Sequence, residues 1–204
     1  MRRIFIGTLV VLTIALINGC ANRKITRVDP SETIDLSGRW NDSDSRLVSE
    51  EMIGDLLTSA WIPRYLKAND KRPVVVVGLV ENKSHEHINS ETFIKDVEKA
   101  IIRDGNIRLV VAGEKRNELR KERAEQQDYA SPETTKKWGK ELGADFILQG
   151  TINSIVDSYK KQKVVTYQID LQLTNIETNE VVWMGDKKIK KQISNGFCRR
   201  SIKA

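Results

Sequence analysis

Seven consecutive residues without a polar side chain, Val74-Val75-Val76-Val77-Gly78-Leu79-Val80, constrain this chain most. β-Branched residues lose rotamer freedom in a helix and suit a pleated strand. An unbroken apolar run leaves no wet face, so it predicts a strand covered on both sides. A polar loop follows, from Glu81 to His87, and Ser90 is the expected cap of a helix, with Glu91 in its positive first turn. Phe93, Val97, Ala100 and Ile101 share one face of that helix, Ile94 lies beside them, and charged residues lie opposite. Gly105 ends it, and Ile107 to Val111 supplies a second strand. The result is a strand–loop–helix–strand unit whose loop is the most distinctive surface in the sequence.

The start of the chain reads as an address. Arg2 and Arg3 precede an apolar run from Ile4 to Ile17, and Asn18-Gly19-Cys20 follows. A membrane span needs about 20 apolar residues, so this shorter run is a secretory signal. Cys20 after Gly19 resembles a lipobox, which implies cleavage before Cys20 and acylation of its thiol and new amino group. Ala21 rather than Asp follows, which in the Gram-negative sorting pattern points to the outer membrane. If Cys20 carries lipid, Cys198 has no cysteine partner, so the fold rests on its core.

The positive balance has a local source. Without Arg2 and Arg3 there are 32 basic and 28 acidic residues, and seven of the basic ones lie between Lys187 and Ala204, a stretch with no acid. The pI near 9.3 belongs to that end and does not argue for nucleic acid. It reads as a solvated basic tail, with anionic envelope polymer as the alternative partner.

Residues 20–42 lack hydrophobic periodicity and read as a tether, although Trp40 within it is expected to dock on the domain. Leu47, Val48, Met52, Ile53, Leu56 and Leu57 have helical spacing, with Asp44 or Ser45 as cap and an end at Pro63 and the polar Lys67 to Arg72. Glu114 to Gln127 is almost wholly charged and predicts an exposed helix. Ser131-Pro132-Glu133 starts another, with Trp138 and Leu142 inward and Gly143 at its end. The last third is β. Phe146 opens a strand through Gly150, a candidate bulge or bend, to Val156. Asp157 to Lys163 is a polar turn. Val165, Tyr167, Ile169, Leu171 and Leu173 alternate with polar residues, and a turn at Glu177 to Glu180 leads into Val181 to Met184. The expected fold is α/β: a mixed sheet with one parallel crossover and a C-terminal antiparallel meander, helices packed on it. The domain spans 43–193 and the tail 194–204.

The catalytic inventory is thin. His85 and His87 are the only histidines, and no third strong ligand beside Glu81 or Glu86 is fixed by spacing, so no metal is expected. There is no Gly-rich phosphate loop, nucleophile elbow or CxxC pair. Cys198 has no local His. Trp138 and Trp183 read as core, and Trp61 as packed rather than as a surface anchor. Neither cofactor nor enzymatic activity is expected. Loops on rigid frames carry recognition, so Asn82, Ser84, His85 and His87 are the candidate partner-binding residues.

Four stretches with the lipobox resemble a family: Asp35-Leu-Ser-Gly-Arg-Trp-Asn-Asp42, Glu81-Asn-Lys-Ser-His-Glu-His-Ile-Asn89, Leu142-Gly-Ala-Asp-Phe-Ile-Leu-Gln-Gly150 and Asn175-Ile-Glu-Thr-Asn-Glu-Val-Val-Trp183. The chain is similar to the LpoB-type lipoproteins that activate penicillin-binding proteins. The resemblance covers residues 35 to about 192. It implies a domain like the TolB N-terminal domain, an outer-membrane lipid anchor facing the periplasm, and docking on a bifunctional peptidoglycan synthase, a penicillin-binding protein. Family members can carry long Pro-rich tethers; this one is short, with a single Pro. The alternative is a secretion or assembly lipoprotein of the CsgG type, or a general envelope scaffold. The CsgG-type reading needs long alternating hairpins.

Overall fold

A computed structural model describes residues 26–131, 133 and 141–194. Cys20, Trp138 and Cys198 lie outside these residues, as does most of the helix expected from Ser131 to Gly143. The chain divides into two units, Met1–Glu32 and Thr33–Ala204. In the first, Asp29 turns the chain by accepting the Ser31 N–H at 2.7 Å. The second holds helices α1 (Asp42–Thr58) and α2 (Trp61–Asn69), strand β1 (Val74–Asn82), helix α3 (Ser90–Asp104), strand β2 (Arg108–Val110), helix α4 (Gly113–Tyr129) and strands β3 (Phe146–Tyr159), β4 (Gln162–Asn175) and β5 (Val181–Ser194).

The sheet order is β2-β1-β3-β4-β5. β1 runs parallel to β2, through the α3 crossover, and also parallel to β3. β3, β4 and β5 form the antiparallel meander. The core lies between this sheet and a helix layer. Val48, Ile53 and Leu56 of α1 and Phe93, Val97 and Ile101 of α3 meet Val75 and Val77 of β1, Leu148 and Ile152 of β3, and Tyr167, Ile169 and Leu171 of β4. Trp183 is buried on the same side, and its indole N–H donates to Asp55 on α1 at 2.9 Å. Burying an indole is favourable only when that N–H finds an acceptor.

The structure corrects several details. Helix α1 is capped by Asn41, not by Asp44 or Ser45. The Asn41 side chain accepts the Asp44 N–H at 3.0 Å while Asp44 Oδ2 accepts the Asn41 N–H at 2.9 Å, a reciprocal pair that satisfies two orphan donors. Asn89, not Ser90, caps α3, accepting the Glu91 N–H at 2.9 Å. Pro63 does not end a helix. It sits in the first turn of α2, where its missing N–H costs nothing, and Trp61 beside it is buried with its indole N–H on the Leu56 carbonyl. The register shifts lie between Val77 and Val80 of β1 and where Leu173 and Thr174 pair with β5, so Gly150 is not a bulge. Gly150 is needed for a different reason: a Cβ there would stand 2.2 Å from the Asp170 carbonyl oxygen.

Two segments read as polar ends are strand. The β3–β4 turn is only Lys160-Lys161, with Lys160 left-handed at φ 53°, and the pairing runs out to Tyr159 and Gln162. β5 runs through the lysines to Ser194. Lys187, Ile189, Lys191 and Ile193 alternate inward while Lys188, Lys190 and Gln192 stay exposed. Lysine stems pack like aliphatic chains while their heads reach water or an acid, so the period of two was hidden by charge. The hairpin is longer than expected, yet the outward row of β3 reads Thr151, Asn153, Ile155 and Asp157. That row is not the unbroken apolar face of a membrane-crossing strand. Helix α4 buries no residue, as its composition predicted. Arg120 and Arg123 tie it to Glu141 at 2.9 and 2.7 Å, and these two guanidiniums hold the Glu141 carboxyl down at about 2.

Candidate partner-docking edge

The chain leaves β1 at Asn82, and that residue organises the loop to α3. Its amide nitrogen donates to the carbonyls of Glu86 at 2.8 Å and Ile88 at 3.4 Å. Its oxygen accepts both the Ser84 N–H at 3.0 Å and the Ser84 hydroxyl at 2.6 Å. The Glu86 N–H then donates to Ser84 Oγ at 3.3 Å. Backbone polar groups in a tight loop must find partners, and here Asn82 and Ser84 supply them. Both are half-buried. The buried side chain of Ile88 pins the far end of the loop.

His85 and His87 point outward and are exposed. His85 is fixed against β3: its backbone N–H donates to Ser154 Oγ at 2.9 Å, and its ring Nδ1 lies 2.9 Å from the same oxygen. Two residues before it, the Lys83 N–H donates to the Ile152 carbonyl at 2.8 Å. The four predicted residues are therefore in one loop but do two jobs. Asn82 and Ser84 hold its shape, and His85 and His87 form its presented edge.

Beneath the loop is a junction that the sequence showed only in part. Glu86 Oε2 accepts the backbone N–H of Trp40 at 3.1 Å. The Trp40 indole N–H donates to Ser45 at 2.8 Å, and its ring stands edge-on to Tyr167 at 5.4 Å between centroids. Burial first, and then the neighbouring Glu86 carboxylate, push the Tyr167 pKa up. Lys191 reaches across from β5 and donates to Asp35 and Asp44, each at 2.6 Å, and to the Arg39 carbonyl at 3.0 Å. Burial alone would lower the Lys191 pKa, but the bonds to Asp35 and Asp44 outweigh it and the net direction is upward. Gly38, left-handed at φ 68°, lies so close to Ile193 that a Cβ would overlap it. The stretch from Asp35 to Asp42 is thus part of the body. A Trp inside a polar linker was the signal for it; Glu86 and Lys191 carried none.

Among the described residues, no group of three His, Cys, Asp or Glu side chains is placed to hold a metal ion, and no helix is long and apolar enough to cross a membrane. The geometry offers hydrogen-bonding side chains on a braced loop, which suits recognition.

A family model described as the peptidoglycan-synthase activator LpoB matches residues 44–189, more than half of the chain. The chain belongs to the LpoB family. Solved structures similar to it include the LpoB C-terminal domain from Escherichia coli, at 19% identity over 67% of this chain and 100% of that one, TM-score 0.37. The LpoB C-terminal domain from Salmonella enterica gives 17% over 64% and 98%, TM-score 0.35. Lipoprotein GNA1162 from Neisseria meningitidis gives 15% over 59% and 83%, TM-score 0.37. Among curated proteins none matches. The LpoB match begins in the first turn of α1 and ends inside β5, so it takes in both core helices, strands β1 to β4 and the first part of β5. The function of the family is activation of a peptidoglycan synthase, a regulatory role.

Proposed function

We propose that this protein is an outer-membrane lipoprotein that faces the periplasm and activates a bifunctional peptidoglycan synthase, a penicillin-binding protein, by docking on it through the β1–α3 loop. In this reading residues 1–19 are a cleaved signal, Cys20 carries the lipid, and a short tether leads to the domain. The observation that carries the reading is the LpoB match over residues 44–189, which takes in the core helices and part or all of every strand. The loop supports the choice of edge, because His85 and His87 are exposed on a frame that Asn82, Ser84 and Ser154 brace. A preformed edge loses little entropy on binding.

Activation needs no chemistry from this chain. A partner whose active conformation binds the edge better than its resting one is shifted toward the active state by that difference in affinity. The lipid confines the search to a shell near the membrane and raises the effective concentration. Reconstitution tests the reading. The purified synthase polymerises and cross-links its lipid-linked precursor with and without this protein. Faster glycan polymerisation and cross-linking at saturating protein is the expected result; unchanged rates together with no measurable binding would overturn it.

A further inference from the structure

We propose that the outward face of the distal β3–β5 hairpins is a membrane-contact surface that lies on anionic phospholipid headgroups. The proposal rests on the lipid anchoring proposed above. The far end of β3, from Ile155 to Tyr159, is exposed on both faces, and the outward face there carries apolar and basic side chains, with Asp157 between Ile155 and Tyr159 as its acidic member. On it the register sets Ile155 in one row with Thr166 and Lys190, Val164 and Tyr159 in the two rows nearer the tip, and Lys188 one row further in, with Lys160 in the adjoining turn. Ile155 and Tyr159 are 68% and 71% exposed. Lys160 stands 5.1 Å from the Tyr159 ring centre. Lys160, Lys188 and Lys190 are exposed and make no ion pair among the described residues. Their neighbours Lys187 and Lys191 differ: they turn to the helix side and are paired with Glu51 and with Asp35 and Asp44. A tyrosine with lysines at the tip of a projecting turn matches the headgroup region of a bilayer, where an amphipathic ring and a cation are both favoured.

The path of the chain selects this occupant. Asp35 is held by Lys191 and Gly38 lies on Ile193, so the chain enters the body at the distal end of β5. From Cys20 to Ile34 the tether is about 50 Å long if extended and about 20 Å as a coil. Under that anchoring the end of the body where the chain enters is the end tied to the bilayer, and its lysines gain from anionic headgroups once within a Debye length, about 8 Å. The loop edge remains open. His85 meets Ser154, whose register partner Tyr167 lies in the core, so the loop is on the helix side of the sheet and the basic face on the other.

The alternative is that edge and tip lysines serve only to discourage pairing between copies of the chain. Sedimentation with vesicles separates the two. The chain from residue 20 with Cys20→Ser keeps the whole buried core, which runs from Val48 to Trp183. It is mixed with vesicles of phosphatidylcholine alone, or of two parts phosphatidylcholine to one part phosphatidylglycerol. Binding to the anionic vesicles only, falling with salt, is expected. Lys160→Glu/Lys188→Glu/Lys190→Glu should weaken it at least tenfold, by about 1.4 kcal/mol or more, and Tyr159→Ser/Ile155→Ser should weaken it with the charge unchanged, both at an unaltered melting temperature. No anionic binding at low salt, equal binding by the charge variant, or a charge variant that loses only affinity for the synthase would each overturn the proposal; the last would make this a protein-docking face. Because the test protein has no acyl chain, a failure here leaves the lipid anchor standing. Absence of lipid on wild-type Cys20, read by mass on the native protein, is a separate failure.

Discussion

Asn82 and Asp145 show how single side chains can hold several elements at once. Asn82 closes the loop through four hydrogen bonds, two given and two received. Asn82→Ala leaves part-buried carbonyls and the Ser84 donors without their partner, so it should cost about 1–3 kcal/mol in urea denaturation. Asp145 accepts the Val74 N–H at 2.9 Å and the Tyr65 hydroxyl at 2.7 Å, while its own N–H donates to the Val74 carbonyl at 2.8 Å. It fastens β1, the entry to β3 and α2. Burial first, then the hydrogen bond to Asp145, push the Tyr65 phenol up to about 12. A group whose folded pKa exceeds its unfolded value of about 10 adds stability that is complete below pH 10 and lost as pH rises toward 12. Tyr65→Phe should therefore flatten the alkaline fall in melting temperature across that window, and an unchanged slope would contradict the assignment. The motif Leu142 to Gly150 was visible in the sequence, but the reach of Asp145 to Tyr65, 80 positions away, was not. Long-range hydrogen bonds leave no local pattern.

At the scale of elements, legibility followed apolar pattern. β1, α3, the strictly alternating β4 and the uncovered α4 were readable because burial imposes a period. What failed was where charge or local hydrogen bonding overrode it. β5 continues through Lys187 and Lys191 because acids from α1 and its entry segment meet their ammonium groups. The cap of α1 was misplaced because Asp44, a good cap, is the third-position member of a box opened by Asn41. In the candidate site, the exposed histidines were legible as a loop edge, while the division of labour between them and Asn82 needed coordinates. The entry segment itself is a structural element: Trp40 gives its backbone N–H to the Glu86 carboxylate and sets its ring edge-on to Tyr167. Trp40→Ala should cost about 2 kcal/mol, less than a fully buried Trp, and should expose residues 35–41 to protease. A variant that resists cleavage as well as wild type would show that this segment is held elsewhere.

At the scale of the molecule, anchoring and docking are separable. The domain has its own core between Val48 and Trp183, so if Cys20 carries lipid as proposed, its loss should change location without changing fold. Cys20→Ser is expected to give an uncleaved or soluble protein with a wild-type melting temperature. Unchanged membrane partitioning of a cleaved product would contradict acylation. Docking of the 35–42 stretch on the body also shortens the free tether that the sequence suggested, from 23 residues to 15, which under the proposed anchoring holds the domain closer to the membrane. The most direct test of the account is the His85→Ala/His87→Ala variant, with thermal unfolding and affinity for the synthase measured on one preparation. Both side chains are exposed and the backbone bond from His85 to Ser154 survives the change, so stability should hold within about 0.5–1 kcal/mol. Affinity should fall at least about tenfold, or 1.4 kcal/mol. Wild-type affinity in a folded double variant would contradict the assignment of this loop as the docking edge.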